Sequence, residues 1–316
     1  MPATVSLARS KILYHLLAFV VVAFWGVTFV SSKVLLLNGL TPSQIFAIRF
    51  AVAYVGILAM CLGSAPARKI FADSFKDEMI FVVLGVSGGS VYFLAENSAL
   101  IYTQACNVSF IVSTSPLITA LMTIAFKRCF KGELSDGLEE IGGRKTLAIG
   151  SALALAGIAA VVFDGNSLKL SAGGDLLALA TAICWGVYSV LMSQMSSKYG
   201  TLFATRKVFF WGIVTIIPFL IGHPFDWAVL TRPEVWGNLA FLAFIASLAC
   251  FIIWNKVMYK LGNVTSTNYV YLNPLFTYLA ATVVLGESLT LQSALGCAAI
   301  LAGVIVGGLQ PSTSKK

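Results

Sequence analysis

Long apolar runs separated by short polar connections fill this chain. The runs lie at about residues 14–37, 43–63, 78–99, 103–126 and 146–163, then at about 174–194, 204–221, 237–260, 263–285 and 290–309. A bilayer core takes about 20 apolar residues per helical crossing, so the pattern predicts ten transmembrane helices. No polar block between the runs is long enough for a soluble domain. The first run follows Arg9 and Lys11, is too long for a secretory signal core and lacks a convincing cleavage site. It is expected to be retained as a span.

Composition agrees with a lipid solvent. Of the 316 residues, 11% are charged and 58% hydrophobic, and the mean hydropathy is +0.89; an ordinary soluble domain carries roughly 25% charge. The expected class is an all-α integral membrane protein. The net charge of +8 sorts by side: 17 Lys and Arg fall in the termini and alternate connections of one side, against Lys169 and Arg232 on the other. Basic residues are retained on the cytoplasmic side, so both termini are expected in the cytoplasm of a bacterial-type inner (plasma) membrane. The same charges are spread over short loops with no folded module to carry them, which argues against nucleic acid as a partner. Six cysteines stand singly, without metal-ligand spacing, so no cofactor or metal is expected.

The chain repeats itself. Pro116 and Pro274 lie 158 positions apart, and the same offset joins Asn97 to Asn255, Ser109 to Thr267 and Thr119 to Thr277. At offset 160 "FWGV" (24–27) meets "CWGV" (184–187), and at offset 146 Gly150, Ala156 and Gly157 meet Gly296, Ala302 and Gly303. The offset falls because the first half has a longer loop, within 127–145. An odd number of helices per half makes the second copy enter from the opposite face, giving two inverted-topology five-helix repeats (5+5), an architecture of transporters. The expected parts are a tail at 1–13, repeats at 14–163 and 174–309, and a tail at 310–316.

"WGVTFVSSK" (25–33), Arg49, "ENSALIYTQACNVSFIVSTSPLITAL" (96–121), "GDLLALATAICWGVYSV" (174–190) and "NPLFTYLAATVVLGE" (273–287) stand in order along the chain, one per expected helix. With the internal duplication, they resemble the drug/metabolite transporter superfamily, EamA type. The resemblance covers nearly the whole chain. It implies a ten-helix carrier with cytoplasmic termini, often an exporter of amino acids or other small metabolites.

Matched prolines in the two halves point to a midplane site, because a broken helix frees backbone groups to line a cavity. On ideal helices Asn263, Thr267, Tyr271, Pro274 and Tyr278 share one stripe, and Ala105, Ser109, Ser113, Pro116 and Ala120 share its counterpart. These polar positions, with Asn107, are the candidate substrate cavity; the alternative is that they glue helices together. Ile111 and Val270, about 100° off the stripes, are expected to face elsewhere. Lys33, Arg49 and Glu96 sit inside the helix limits, each costing roughly 2.5 to 3.5 kcal/mol at the bilayer centre. They read either as an external gate or coupling site, with Glu96 paired to Lys33 or Arg49, or as orientation anchors with water access. Trp25 and Trp185, beside Gly26 and Gly186, read as packing or hinge positions.

An enzyme is not expected. "GVSGG" (85–89) matches a serine-hydrolase pattern, but His15 and His223 lie at membrane boundaries, away from Ser87. "NVS" at Asn107 and "NVT" at Asn263 match the glycosylation pattern by chance, since they lie at or inside spans. Spans five and ten are rows of Gly and Ala suited to close packing, with a homodimer contact as the alternative for Gly303 and Gly307. The reading is a secondary transporter of a small-molecule substrate, embedded in membrane lipid and working by alternating access, outward. A sugar-phosphate or nucleotide-sugar exchanger is the alternative of the same class, and a channel that of another.

Overall fold

The computed structural model describes residues 2–129, 144–162, 171–285 and 291–308. Most of the expected 127–145 loop and the 310–316 tail lie outside them. Among the described residues the regular structure is all helical. In chain order the rods are α1 (Pro2–Leu37), α2 (Pro42–Leu62), α3 (Phe75–Tyr102), α4 (Ala105–Arg128), α5 (Arg144–Val162), α6 (Ala172–Tyr199), α7 (Thr201–Leu220), α8 (Pro233–Leu261), α9 (263–285) and α10 (Leu291–Gly308).

Seven of these, α1 to α4 and α6 to α8, are long and apolar enough to cross a membrane. Ten were expected from the hydrophobic runs. The helices α5, α9 and α10 exist at the expected places, but α5 holds its apolar character only over Lys145–Ala160 and α9 changes to a 3-10 stretch at Asn268–Leu272. Helix α1 also runs through residues 2–13 of the expected tail, since no proline follows Pro2 until Pro42.

Local chemistry sets the turns. Gly39 (φ +95°) ends α1: its N–H donates to Leu36 O at 3.0 Å and that of Leu40 to Leu35 O at 3.2 Å, the paired bonds of a glycine C-cap. Two residues later Thr41 and Gln44 form a reciprocal capping box with Pro42 in the first turn, so α2 starts at once.

The helices pack in matched pairs across the chain. Helix α1 packs on α8 and α9, while α6 packs on α3 and α4; α2 meets α7, and α5 meets α10. Gly26 abuts Asn273, Phe276 and Thr277, and Gly186 abuts Ile118, Thr119 and Met122, so a Cβ at either would collide. Phe276 and Thr277 stand 158 residues after Ile118 and Thr119. Gly157 against Gly296 and Ile300 mirrors Gly303 against Gly150 and Ala154 in the same way. At Gly26, Gly157 and Gly303 the neighbouring atoms include backbone, and approach this close needs glycine.

Irregularities recur too. A π-helical stretch lies in α3 at Val86–Ser90 and in α8 at Phe241–Ala249. Helix α4 breaks at 113–114 and resumes with Ser115 and Pro116, and α9 resumes after its 3-10 stretch with Asn273 and Pro274. At the centre an aromatic cluster closes the core: Trp25 and Trp185 meet edge-to-face at 5.2 Å, Phe50 and Phe209 at 5.0 Å, and Trp25 lies 4.9 Å from Trp254.

Candidate functional site

Beside that cluster lies a narrow pocket of about 20 Å³, room for about one water, lined by Trp25, Thr28, Phe29, Arg49, Tyr92, Phe93, Glu96, Val112, Ser115, Trp185, Phe251, Val270 and Asn273. Arg49 is seven residues into α2 and Glu96 six from the end of α3. At 1.5 Å per residue both lie about 10 Å inside the end that carries the 38–41 turn. The pocket therefore extends from mid-depth toward that end.

The π-helical stretch of α8 lies behind the lining and braces Trp25 and Arg49. It turns backbone and side-chain oxygens out of the helix ladder: Ala246 O accepts from Trp25 Nε1 at 3.0 Å, and Ser247 Oγ accepts from Arg49 Nε at 2.9 Å. Arg49 is 1% exposed, and its guanidinium lies 4.4 Å from the Phe93 ring centroid. Glu96, 2% exposed, lies within electrostatic reach of Arg49 and beside the Tyr92 hydroxyl. The two charges close no ion pair within 4.0 Å.

The pocket gathers unspent hydrogen-bonding capacity from several helices. Arg49 Nη1 and Trp185 Nε1 are donors, and Glu96 Oε1 and Asn273 Oδ1 acceptors, with no protein partner; Ser115 Oγ is a fifth such group. Buried polar groups are nearly always partnered, and each exception calls for a reason. Five on one pocket point to a polar occupant.

Of the sequence candidates, Arg49 and Glu96 line this pocket. Lys33 does not: its ammonium donates to Leu100 O and, at 3.3 Å, to Thr103 O, capping the end of α3. The stripe residues sit in the packed contacts beside the pocket. Ser113 donates to Val270 O at 3.2 Å, Thr277 and Ser109 share a bond of 3.0 Å, Asn263 donates to Thr123 at 2.8 Å and Asn107 to Thr103 at 3.1 Å. Thr267 donates to Asn263 O, the Tyr271 hydroxyl lies against Ser151, and Tyr278 is buried in the core. Pro116 and Pro274 start the resumed helices. The wall is made by neighbours of the stripe, Val112 and Ser115 on α4 and Val270 and Asn273 on α9. Geometry explains the displacement: a 3-10 helix turns about 120° per residue and an α-helix about 100°, so five 3-10 residues rotate the chain by about one position.

Trp25 and Trp185, expected as packing positions, both line the pocket, and Thr28, Phe29, Tyr92, Phe93 and Phe251 were not anticipated. The signal that finds part of this set is the repeat. Trp25 and Trp185 stand at offset 160, and Phe93 with Phe251, Val112 with Val270 and Ser115 with Asn273 at offset 158. Ser87 of the hydrolase-like pattern donates to Val83 O at 2.7 Å, and His15 bonds Tyr269 at 2.8 Å.

The chain is similar to a set of known membrane transporters. An uncharacterized transporter of Archaeoglobus fulgidus is 30% identical over 296 residues, covering 92% of this chain and 95% of the relative. A probable terminal-alkyne amino-acid exporter of Streptantibioticus cattleyicolor is 25% identical, with 94% and 93% covered. The uncharacterized inner membrane transporter YedA of Escherichia coli K12 is 25% identical, with 91% and 88% covered. A solved crystal structure shares the fold at a TM-score of 0.69 and 18% identity, covering 95% of this chain and 97% of that one. The family model of EamA-like transporters matches residues 12–129 and 172–307. A multi-pass membrane protein built on these helices, the chain belongs to the EamA-like transporter family.

Proposed function

We propose that the protein is a secondary carrier that exports small zwitterionic metabolites, amino acids foremost, across an inner membrane by alternating access. The unspent donors and acceptors of the pocket carry this reading. A free amino acid brings a carboxylate for Arg49 Nη1 and Trp185 Nε1 and an ammonium for Glu96 Oε1 and Asn273 Oδ1, while Trp25, Tyr92, Phe93 and Phe251 offer an apolar wall for its side chain. A sugar phosphate would bring more negative charge than one arginine offsets beside Glu96. The amino-acid exporter among the relatives supports the same class. The matched helix pairs, the matched breaks and the two-part family match support an inverted 5+5 repeat. The basic bias of the connections supports a cytoplasmic 63–74 end and cytoplasmic termini.

Reconstitution tests it. Proteoliposomes loaded with a mixture of apolar amino acids should accumulate radiolabelled leucine or phenylalanine by counterflow, and the corresponding amino-acid amides and N-acetyl derivatives should compete at least tenfold less well. Absence of trans-stimulation would leave a channel, and uptake of sugar phosphates in preference to amino acids would overturn the substrate class.

A further inference from the structure

We infer that the second half carries a latent substrate wall, formed by Tyr188, Ser189, Cys250 and Trp254, which replaces the wall of Thr28, Phe29, Tyr92 and Glu96 when the carrier opens toward its 63–74 end. This rests on the inverted-repeat carrier reading above.

The lining of the pocket carries the argument. Eight of its thirteen residues fall into four repeat-related pairs: Trp25 with Trp185, Phe93 with Phe251, Val112 with Val270 and Ser115 with Asn273. The other five, Thr28, Phe29, Arg49, Tyr92 and Glu96, all come from the first half. A pocket placed this way straddles the axis relating the halves and opens on the first half's side. When two halves of an inverted repeat exchange conformations, paired residues stay at the axis and unpaired ones give way to their counterparts. At offset 160, Thr28 and Phe29 map to Tyr188 and Ser189. At offset 158, Tyr92 and Glu96 map to Cys250 and Trp254.

Those four counterparts are buried here, and two of them share the unspent capacity of the pocket, while the Tyr188 hydroxyl donates to Asn255 Oδ1 at 2.6 Å. Ser189 Oγ and Trp254 Nε1 have no protein partner. Trp254 stands 4.9 Å from Trp25 and 6.1 Å from Trp185, and Tyr188 stands 5.3 Å from Trp185, so the latent wall abuts the axial pair.

Its chemistry differs in kind. Glu96 maps to an indole, and Arg49, placed by the offset of 159 between Phe50 and Phe209, maps to Val208. Facing the 63–74 end, the substrate meets aromatic faces, a hydroxyl and an indole N–H but neither charge. Selection at that face is therefore by the apolar body of the substrate and its carboxylate, while the arginine and the glutamate act at the opposite face.

Cys250 is a native reporter. In the full-length protein with Cys61, Cys106, Cys129, Cys184 and Cys297 replaced by alanine, a membrane-impermeant charged maleimide applied to vesicles of each orientation should label Cys250 at least tenfold faster from the 63–74 face. Tyr92→Cys, made with Cys250 also replaced, should show the opposite preference. Ser189→Cys in that cysteine-free background repeats the first result should the Cys250 protein melt abnormally. Labelling of positions 250 and 189 from the 38–41 face, or at neither face while leucine or phenylalanine counterflow persists, overturns the latent wall. Loss of counterflow in the unmodified protein overturns the carrier reading itself, and the inference with it.

Discussion

The two ends of the molecule are fastened by different chemistry. At the 63–74 end the connection between α2 and α3 is tied to α6 and α7 by charge. Asp77 accepts from Lys198 at 2.8 Å, from the Tyr199 hydroxyl at 2.6 Å and from Ser74 at 2.9 Å. Glu78 pairs with Lys207 and accepts from Trp211 Nε1 at 2.8 Å and from the Ala72 N–H at 3.0 Å, and Arg206 donates to Lys69 O. At the 38–41 end the described residues close no ion pair: Gln44 Nε2 donates to His223 O at 3.2 Å and to Pro224 O at 3.0 Å, beside a cleft of about 160 Å³, and Lys33 and Arg232 donate to neutral acceptors. The pocket lies toward this second end. Buried charge pairs hold firmly because breaking one strands its partner, whereas an amide bond to a carbonyl is worth about 1 kcal/mol. The first end is therefore the more firmly fastened of the two.

The largest expected effect tests the pocket. Arg49→Ala removes the pocket's guanidinium and leaves Glu96 buried without its nearby positive charge. Counterflow should fall by about 100-fold or more, and stabilisation by amino acid in a melting assay should vanish. Near-normal transport would reduce Arg49 to an anchor and remove the charged site from the comparison.

The lock comes next. Lys207 and Glu78 have side chains only 5% and 13% exposed, so solvent screens them little. Glu78→Gln keeps an acceptor for Trp211 but removes the charge facing Lys207, at a cost of about 1.5–3 kcal/mol. The ratio of labelling from the 63–74 face to that from the 38–41 face should rise by about 10- to 100-fold. Lys198→Ala should do much less, because Lys198 is 47% exposed and its pair is screened. Equal effects of the two variants would show that the network, and not the buried pair, holds this end.

At the opposite end, Gln44→Ala removes two amide-to-carbonyl bonds together with the capping-box acceptor of the Thr41 N–H, and should shift the same ratio the other way by about five-fold, or about 1 kcal/mol. The sign matters more than the size. A shift in the same direction as Glu78→Gln would mean that both contacts stabilise one conformation and that the ends do not alternate.

How much of this was legible in the sequence follows from which physics each feature depends on. Lipid demands long apolar runs, so the helices at 42–62, 75–102 and 172–199 lie within a few residues of the expected runs. The twin breaks at Pro116 and Pro274 were legible because proline cannot continue the ladder. The face turned to the pocket was not. Extrapolating 100° per residue across a break assumes a helix where α9 has a 3-10 stretch, and Val270 enters the wall as a result. The π-helical stretch that presents Ser247 to Arg49 leaves no mark of its own in "FLAFIASLA", and the Trp25–Trp185 contact needs the two halves folded together.

The smallest effect separates the two buried-span bases that charge alone could not tell apart. Arg49 is held by a side chain from the other half and faces the pocket, whereas Lys33 donates to Leu100 O and Thr103 O at the carboxyl end of α3. Those carbonyls have no partners further along the helix, and a cation there is worth about 0.3–1 kcal/mol. Lys33→Met keeps the apolar stem and deletes only the ammonium. Stability should drop by about that amount, read as a small fall in melting temperature, while leucine or phenylalanine counterflow stays within about two-fold, because nothing that touches the pocket is removed. A collapse of transport with unchanged melting would place Lys33 with Arg49 and Glu96 in one gate, and the contrast between a capping base and a pocket base would fail.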